Sequence, residues 1–297
     1  MTSPHAAISP LARRIRLGQD IVWLRESRGL TQTGLATAIG RSRQAITRVE
    51  NPLTNLDRDL VADHVRDILV ACDVPPGDPE HVRVMELAWA ARRAGWWESG
   101  HAKMGKRQRI IANIELGATV IREYHPYLPP GLTQTPAFAR ARASGLPLED
   151  ATVEGLVDGR LQRQAWAFDS GKLRYEVVLE EMAVRRPIAP PDVRRDQLLH
   201  LVKLAERDNV SVRVLTVTAP LNEGQVPTSP CSIYGYEDEG DPVVAVIDTF
   251  LQDRIIVDPV EVSTYSQLFD RLRAAALSDA DSAAFIREAA DAQLVGR

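Results

Sequence analysis

Arg43, Gln44 and Thr47 fall on one face of a short segment and carry chemistry suited to the edges of DNA bases. A guanidinium pairs bidentately with O6 and N7 of guanine, and a glutamine carboxamide with N6 and N7 of adenine. Gln32, Arg41, Ser42 and Arg48 lie close by and offer donors for phosphate oxygens, contacts that fix register without reading sequence.

The stretch that must position them is TQTGLATAIGRSRQAITRVEN, residues 31–51. It reads as two short helices around a tight turn. Thr31 is placed as the N-cap of the first helix and Ser42 as the N-cap of the second. Ala36 stands where two helices must approach closely, and Gly40 occupies the turn, where a positive φ costs glycine little. Ile46 and Val49, three apart, face back onto the first helix, so Arg43, Gln44, Thr47 and Arg48 face away. That combination is the helix-turn-helix pattern, whose second helix, here about residues 42–50, enters the major groove. The bland alternative is an ordinary helical hairpin with a solvated arginine face.

Charge follows the same division. Residues 1–56 hold eight arginines against Asp20, Glu26 and Glu50, a balance of +5; the chain total of −4 therefore leaves −9 for the remainder. A basic head on an acidic body fits contact with phosphate at one end only. At 297 residues, two domains are expected. The opening MTSPHAAISP has neither the basic nor the apolar part of a signal peptide, and no apolar run is long enough for a membrane span. Cys72 and Cys231 fit no metal-ligand spacing and read as unpaired thiols of a reduced, cytoplasmic protein.

The expected organisation is a disordered arm at 1–10, an all-α helix-turn-helix bundle at 11–77, a linker helix at 78–95, and a larger α+β domain at 96–297. In the bundle, helices are expected at 11–28 (closed by Gly29) and 58–72. Beyond it, helical periodicity is read at 108–123, from Thr135-Pro136 onward, at 151–168, 179–186, 192–208, 259–277 and 282–294. Alternation places strands at 172–178, 210–217, 232–237 and 243–250, the last two forming a hairpin across Asp238-Glu239-Gly240-Asp241.

Catalytic constellations in the body are weak. Glu180 and Glu181 are adjacent carboxylates, but neighbours on a helix point about 100° apart and so do not share a substrate. His64, His81, His101, His125 and His200 are scattered, with no pair at i, i+4. Cys231 has no histidine placed beside it and reads as a buried thiol. Gly224-Gln225-Val226-Pro227 is a turn rather than a phosphate loop. A ligand or partner surface has more to build on. Trp96, Trp97, Tyr124, Tyr127 and Gln134 bring aromatic and amide groups beside a proline-rich loop at 124–135, suited to a small molecule or a peptide. Packing of that loop on its own domain explains the same residues.

Residues 14–74 resemble the Xre-type, lambda-repressor-like helix-turn-helix family. RRAGWWESG, IREYHPYLPPGLTQTPAFARA, VVLEEMAVRRPI, QLLHLVKLAERDNVSVRVL and DPVVAVIDTF resemble a second domain of uncharacterised function that follows such heads in actinobacterial, WhiJ-like regulators. Asn51-Pro52-Leu53-Thr54-Asn55 replaces the glycine-containing turn usual after the second helix. The resemblance implies a transcriptional regulator, often encoded beside a small partner protein, with no established catalytic residue. The expectation is a homodimer on double-stranded DNA, reading an inverted repeat with half-sites roughly 34–36 Å apart. No cofactor, metal or membrane partner is expected. The alternative is an autoregulated enzyme or toxin-like module with Glu181 as its catalytic carboxylate.

Overall fold

The computed structural model describes residues 9–54, 62–92, 104–144, 152–169, 171–221, 227–249 and 252–295. The chain divides into two units, one of residues 1–96 with 236–242 and the other of 97–235 with 243–297.

The first unit is built from α1 (Pro10–Ser27), α2 (Gln32–Ala38), α3 (Arg43–Glu50), α4 (Ala62–Ala71) and α5 (Pro79–Ala91). Most of the arm expected at 1–10 lies outside the described residues. Its last two residues instead start α1: the Ser9 hydroxyl accepts from the Ala12 N–H at 3.0 Å, and Pro10, which has no N–H to leave unpaired, takes the first turn. Gly29, with φ +67°, closes α1 as its N–H donates to the Glu26 carbonyl and that of Leu30 to Arg25. Leu17, Ile21, Leu24, Leu35, Ala36, Ile46, Val49, Val65, Ile68 and Leu69 share one core. The segment expected as a linker helix contributes Val84, Met85, Leu87 and Ala88 to that same core, so α5 is packed as a member of the bundle. Trp89 of the same helix is 55% exposed.

The second unit is α+β. Its described strands are β1 (Ala118–His125), β2 (Arg174–Glu180), β3 (Val210–Leu215), β4 (Cys231–Tyr236), β5 (Val244–Ile247) and β6 (Arg254–Ile256), in the order β3-β2-β1-β4-β5-β6. β1, β2 and β3 are parallel, while β5 is antiparallel to both its neighbours, β4 and β6. The helices are α6 (Lys106–Glu115), α7 (Pro136–Ala143), α8 (Val153–Asp169), α9 (Glu181–Arg185), α10 (Pro191–Leu204), α11 (Pro259–Ala275) and α12 (Asp279–Val295).

One expectation is overturned here. The helix read over 108–123 stops at Glu115, and Ala118–His125 is the central strand β1. Gly117, at φ +81°, makes the break. The period-2 signal is masked because both faces of β1 are buried at its carboxyl end, with Glu123, Tyr124 and His125 all 6% exposed or less. β6, of three residues, is too short to leave a pattern. The expected hairpin is present, with Cys231 opposite Ile247 and Tyr234 opposite Val244.

Strand alternation gives the sheet two different faces. One face carries Tyr124, Val178, Cys231 and Ile233, packed with Val262, Phe269 and Leu272 of α11. The opposite face carries Ile121, Glu123 and His125 of β1, Tyr175 of β2, and Ser232 and Tyr234 of β4.

Candidate nucleic-acid interface

The second helix of the motif is held by both of its flanks. Thr31 caps α2 by accepting from the Gly34 N–H at 3.0 Å, and Ser42 caps α3 by accepting from the Ala45 N–H at 3.3 Å. Between them Gly40, at φ +64°, reverses the chain while the Arg41 N–H donates to the Ala36 carbonyl at 2.9 Å. Ile46 and Val49, 1% and 6% exposed, hold the inner face of α3 on the core.

At its other end α3 is clamped to α1. A Cβ at Gly18 would lie 2.6 Å from the Glu50 carbonyl oxygen, so only a residue without a side chain permits this approach. The Glu50 carboxylate, 4% exposed, accepts from Arg25 Nε at 2.5 Å and from Gln32 Nε2 at 2.7 Å. Arg25 also donates to the Leu30 carbonyl at 2.8 Å. The hydrogen bond from Arg25 to Glu50 raises the arginine pKa above its ordinary value, against the effect of burial. Glu50 thus gathers α1, α2 and α3 at one point.

Of the residues expected at the DNA surface, Arg41, Ser42, Arg43 and Gln44 are exposed, while Gln32, Thr47 and Arg48 are half-buried. Gln32 is committed within the unit, its amide nitrogen to Glu50 and its oxygen accepting from Arg43 Nε at 3.3 Å and Thr47 Oγ1 at 3.4 Å. It organises the outer face of α3 as well as lying beside it. Arg41 lies 3.7 Å from Asp67, both exposed. Arg28 donates to the Cys72 carbonyl at 2.9 Å. Nothing in the spacing selects Arg25 over Arg28 as the partner of Glu50, so sequence reasoning misses this anchor.

Residues 16–82 match a family described as a helix-turn-helix domain, which takes in most of α1, all of α2, α3 and α4, and the first turn of α5. Residues 108–288 match a family described as a domain of unknown function, DUF5753, and this covers more than half of the chain. The chain belongs to the DUF5753 family. No curated protein matches it, and neither does any solved structure.

Within the DUF5753 domain the expected ligand surface is divided. Trp96 and Trp97 lie outside the described residues. Tyr124 and Gln134, each 1% exposed, are interior residues: the Tyr124 hydroxyl donates to Glu180 at 2.8 Å and Gln134 Nε2 to the Pro129 carbonyl at 2.7 Å. Burial is the larger cause that holds the Tyr124 phenol above its ordinary range, with Glu180 adding to it. Tyr127 is 48% exposed, with the Arg186 guanidinium 5.4 Å from its ring centroid. Tyr124 is interior because it belongs to β1, whereas Tyr127 stands in the loop that follows it.

Glu181 accepts from Arg185 Nε at 2.7 Å and from the Val217 N–H at 3.1 Å. Glu180 is turned toward Tyr124, so the two carboxylates have different partners. Cys231 is a buried free thiol, and burial pushes it up to about 12. Among the described residues no cluster of His, Cys, Asp and Glu could hold a metal ion, and no helix is long and apolar enough to cross a membrane.

Sequence reasoning missed Arg160 and Arg163 of α8, 8% exposed each, and Glu115 of α6 at 1%. A signal existed: Leu156, Arg160, Arg163 and Ala167 fall on one helical stripe, so the arginines occupy positions where the period calls for apolar residues.

Proposed function

We propose that this chain is a sequence-specific transcriptional regulator of the Xre type, acting as a homodimer on an inverted repeat in the cytoplasm. The observation that carries the reading is the exposed Arg43–Gln44 edge of α3, held at a fixed pose by Gln32, Glu50 and Arg25. A rigid support matters because base readout needs donors within hydrogen-bond tolerance of their acceptors before binding. Arg43, Gln44 and Thr47 face the bases in this reading, with Gln32, Arg41, Ser42 and Arg48 along the backbone. One head spans few base pairs, so a two-fold pair of heads supplies affinity, with half-sites about 34–36 Å apart. The DUF5753 domain is the sensing part, responding to a small molecule or a small partner protein by favouring one DNA-binding state over the other. Catalysis is not part of the proposal, and the engagement of Glu181 by Arg185 and Val217 supports leaving it out.

The test is selection of bound duplexes from a random pool with the full chain, followed by affinity measurements across salt. A two-fold-symmetric site and a linear fall of log affinity with log salt are expected. Enrichment of no sequence, or affinity that salt leaves unchanged, would overturn the reading.

A further inference from the structure

The sheet face opposite α11 buries charge where apolar side chains are the rule. β1 supplies Glu123 and His125, and β4 supplies Ser232, whose hydroxyl donates to Glu123 at 3.0 Å. The Tyr175 hydroxyl donates to the same carboxylate. α6 supplies Glu115 and α8 supplies Arg163, whose Nε donates to Glu115 at 2.6 Å. Apart from His125, these groups satisfy one another. Arg160 has no such arrangement.

Arg160 is 8% exposed, and its Nε and one terminal nitrogen meet no acceptor. Burial pulls its guanidinium down to about 9, and the neighbouring charges of Arg142 and Arg163 push in the same direction. Arg142 is itself lowered by burial and then by Arg107. A buried, unpaired cation among cations is among the least stable arrangements an interior can hold, so a counter-charge belongs there. The backbone that lies against it carries no side chain, so the position of one Cβ beside two guanidiniums is left open. A Cβ at Gly131 would come to 3.7 Å from Arg160 Nε and from a terminal nitrogen of Arg163. Gln134 Oε1, Gln108 Oε1 and His125 Nδ1 are buried and also lack hydrogen-bond partners, while His125 Nε2 lies 3.8 Å from Glu123.

Topology points to the same place. β1, β2 and β3 are laid down in one direction across the sheet, and β4 returns to the other side of β1. In open sheets, ligands settle beyond the carboxyl ends of strands where the order reverses. Gly131 and Gln134 stand on the loop that leaves the carboxyl end of β1, and Glu123 and His125 are at that end.

We propose that the DUF5753 domain binds a small oxyanion-bearing molecule, through a carboxylate or phosphate group set against Arg160 with Arg142 as the second cation. Gln134 Oε1 and the His125 ring receive the polar remainder of the ligand. The site deepens the sensing role proposed above and rests on it for regulatory meaning, whereas anion binding is measured without DNA.

The test uses the full chain at pH 7.5, comparing sodium phosphate and sodium acetate with sodium chloride at equal ionic strength. Thermal unfolding of the DUF5753 domain is the readout. Wild type is expected to gain about 3 °C or more at roughly tenfold excess over Kd in at least one anion, and the anion that acts separates phosphate from carboxylate. Because phosphate also stabilises proteins nonspecifically, the deciding comparison is Arg160→Met. That variant should lose the anion-specific gain and melt in chloride no lower than wild type, since it removes an unpaired buried charge. If Arg160→Met does not fold, Arg142→Met, at a half-buried position, should show a reduced gain. Equal responses in all three salts, or a full anion response in the variant that folds, would overturn the site. Anion binding without any DNA affinity would leave the site standing and remove only the regulatory reading.

Discussion

Glu50→Ala is the most informative single change in the helix-turn-helix domain. It removes an acceptor that is 4% exposed and leaves the Arg25 side chain, 10% exposed, without its main counter-charge. Breaking a buried pair from one side costs about 3–5 kcal/mol. Arg25 keeps the Leu30 carbonyl at 2.8 Å and the exposed Glu26 at 3.2 Å, which sets the expectation at the low end, about 3 kcal/mol. Gln32 is released at the same time, so the outer face of α3 loses its brace. The chain supplies its own probe. Cys72 is a fully buried thiol in the core of the first unit, and Cys231 a buried thiol of the second. In native buffer, thiol labelling limited by opening should accelerate about 150-fold at Cys72, because each 1.4 kcal/mol is a factor of ten. Labelling at Cys231 should not change. A companion with Arg25→Met and Glu50→Leu together should recover most of the loss, since an apolar pair of similar volume does not strand a charge. If Cys72 accelerates less than about fivefold, equivalent to about 1 kcal/mol, the buried pair is not what holds α3 in place.

Further expectations concern the same domain. Gly18→Ala would gain up to about 1 kcal/mol in an open helix, but its Cβ would meet the Glu50 carbonyl at 2.6 Å. The net effect should be destabilising, by about 1–3 kcal/mol, read by the same Cys72 labelling; a slower rate than wild type would mean α1 and α3 are not in such close approach. Arg43→Ala should relax preference at one base position at a cost of about 1–3 kcal/mol, and Arg48→Ala should weaken all duplexes alike and flatten the salt slope by about one unit. Equal losses on operator and random DNA for Arg43→Ala would remove it from the base-reading set. His64 has its pKa lowered below 6.5, chiefly by burial and then by Arg41. The unfolded chain therefore takes up the proton first as pH falls, and stability declines from pH 6.5 until the folded value is passed. Denaturation from pH 7.5 to 5.5 should show a shallower decline in His64→Gln than in wild type.

How much was legible in the sequence differs between the two units for a physical reason. In α2 and α3 the inner and outer faces differ in polarity, so Ile46 and Val49 against Arg43 and Gln44 define both the helix and its orientation. The carboxyl end of β1 is enclosed on both faces, and part of what it buries is charged, so Glu123 and His125 erase the contrast from which a strand is read. The same is true of Arg160 and Arg163, polar residues on a buried stripe. Side-chain commitments across sequence distance were beyond reach as well: Gln32 looks like a free phosphate donor until Glu50 is seen 2.7 Å away.

The position of β1 in the sheet also sets the timetable of synthesis. Its first neighbour, β2, ends at Glu180, but its second, β4, begins only at Cys231, after β3 and α10 have been made. Until then a nascent chain presents one side of its central strand with unpaired N–H and C=O groups, a template for pairing with another copy. A chain truncated anywhere between β3 and β4 should therefore aggregate even though three strands and ten of the described α-helices, α1 to α10, precede the end of β3.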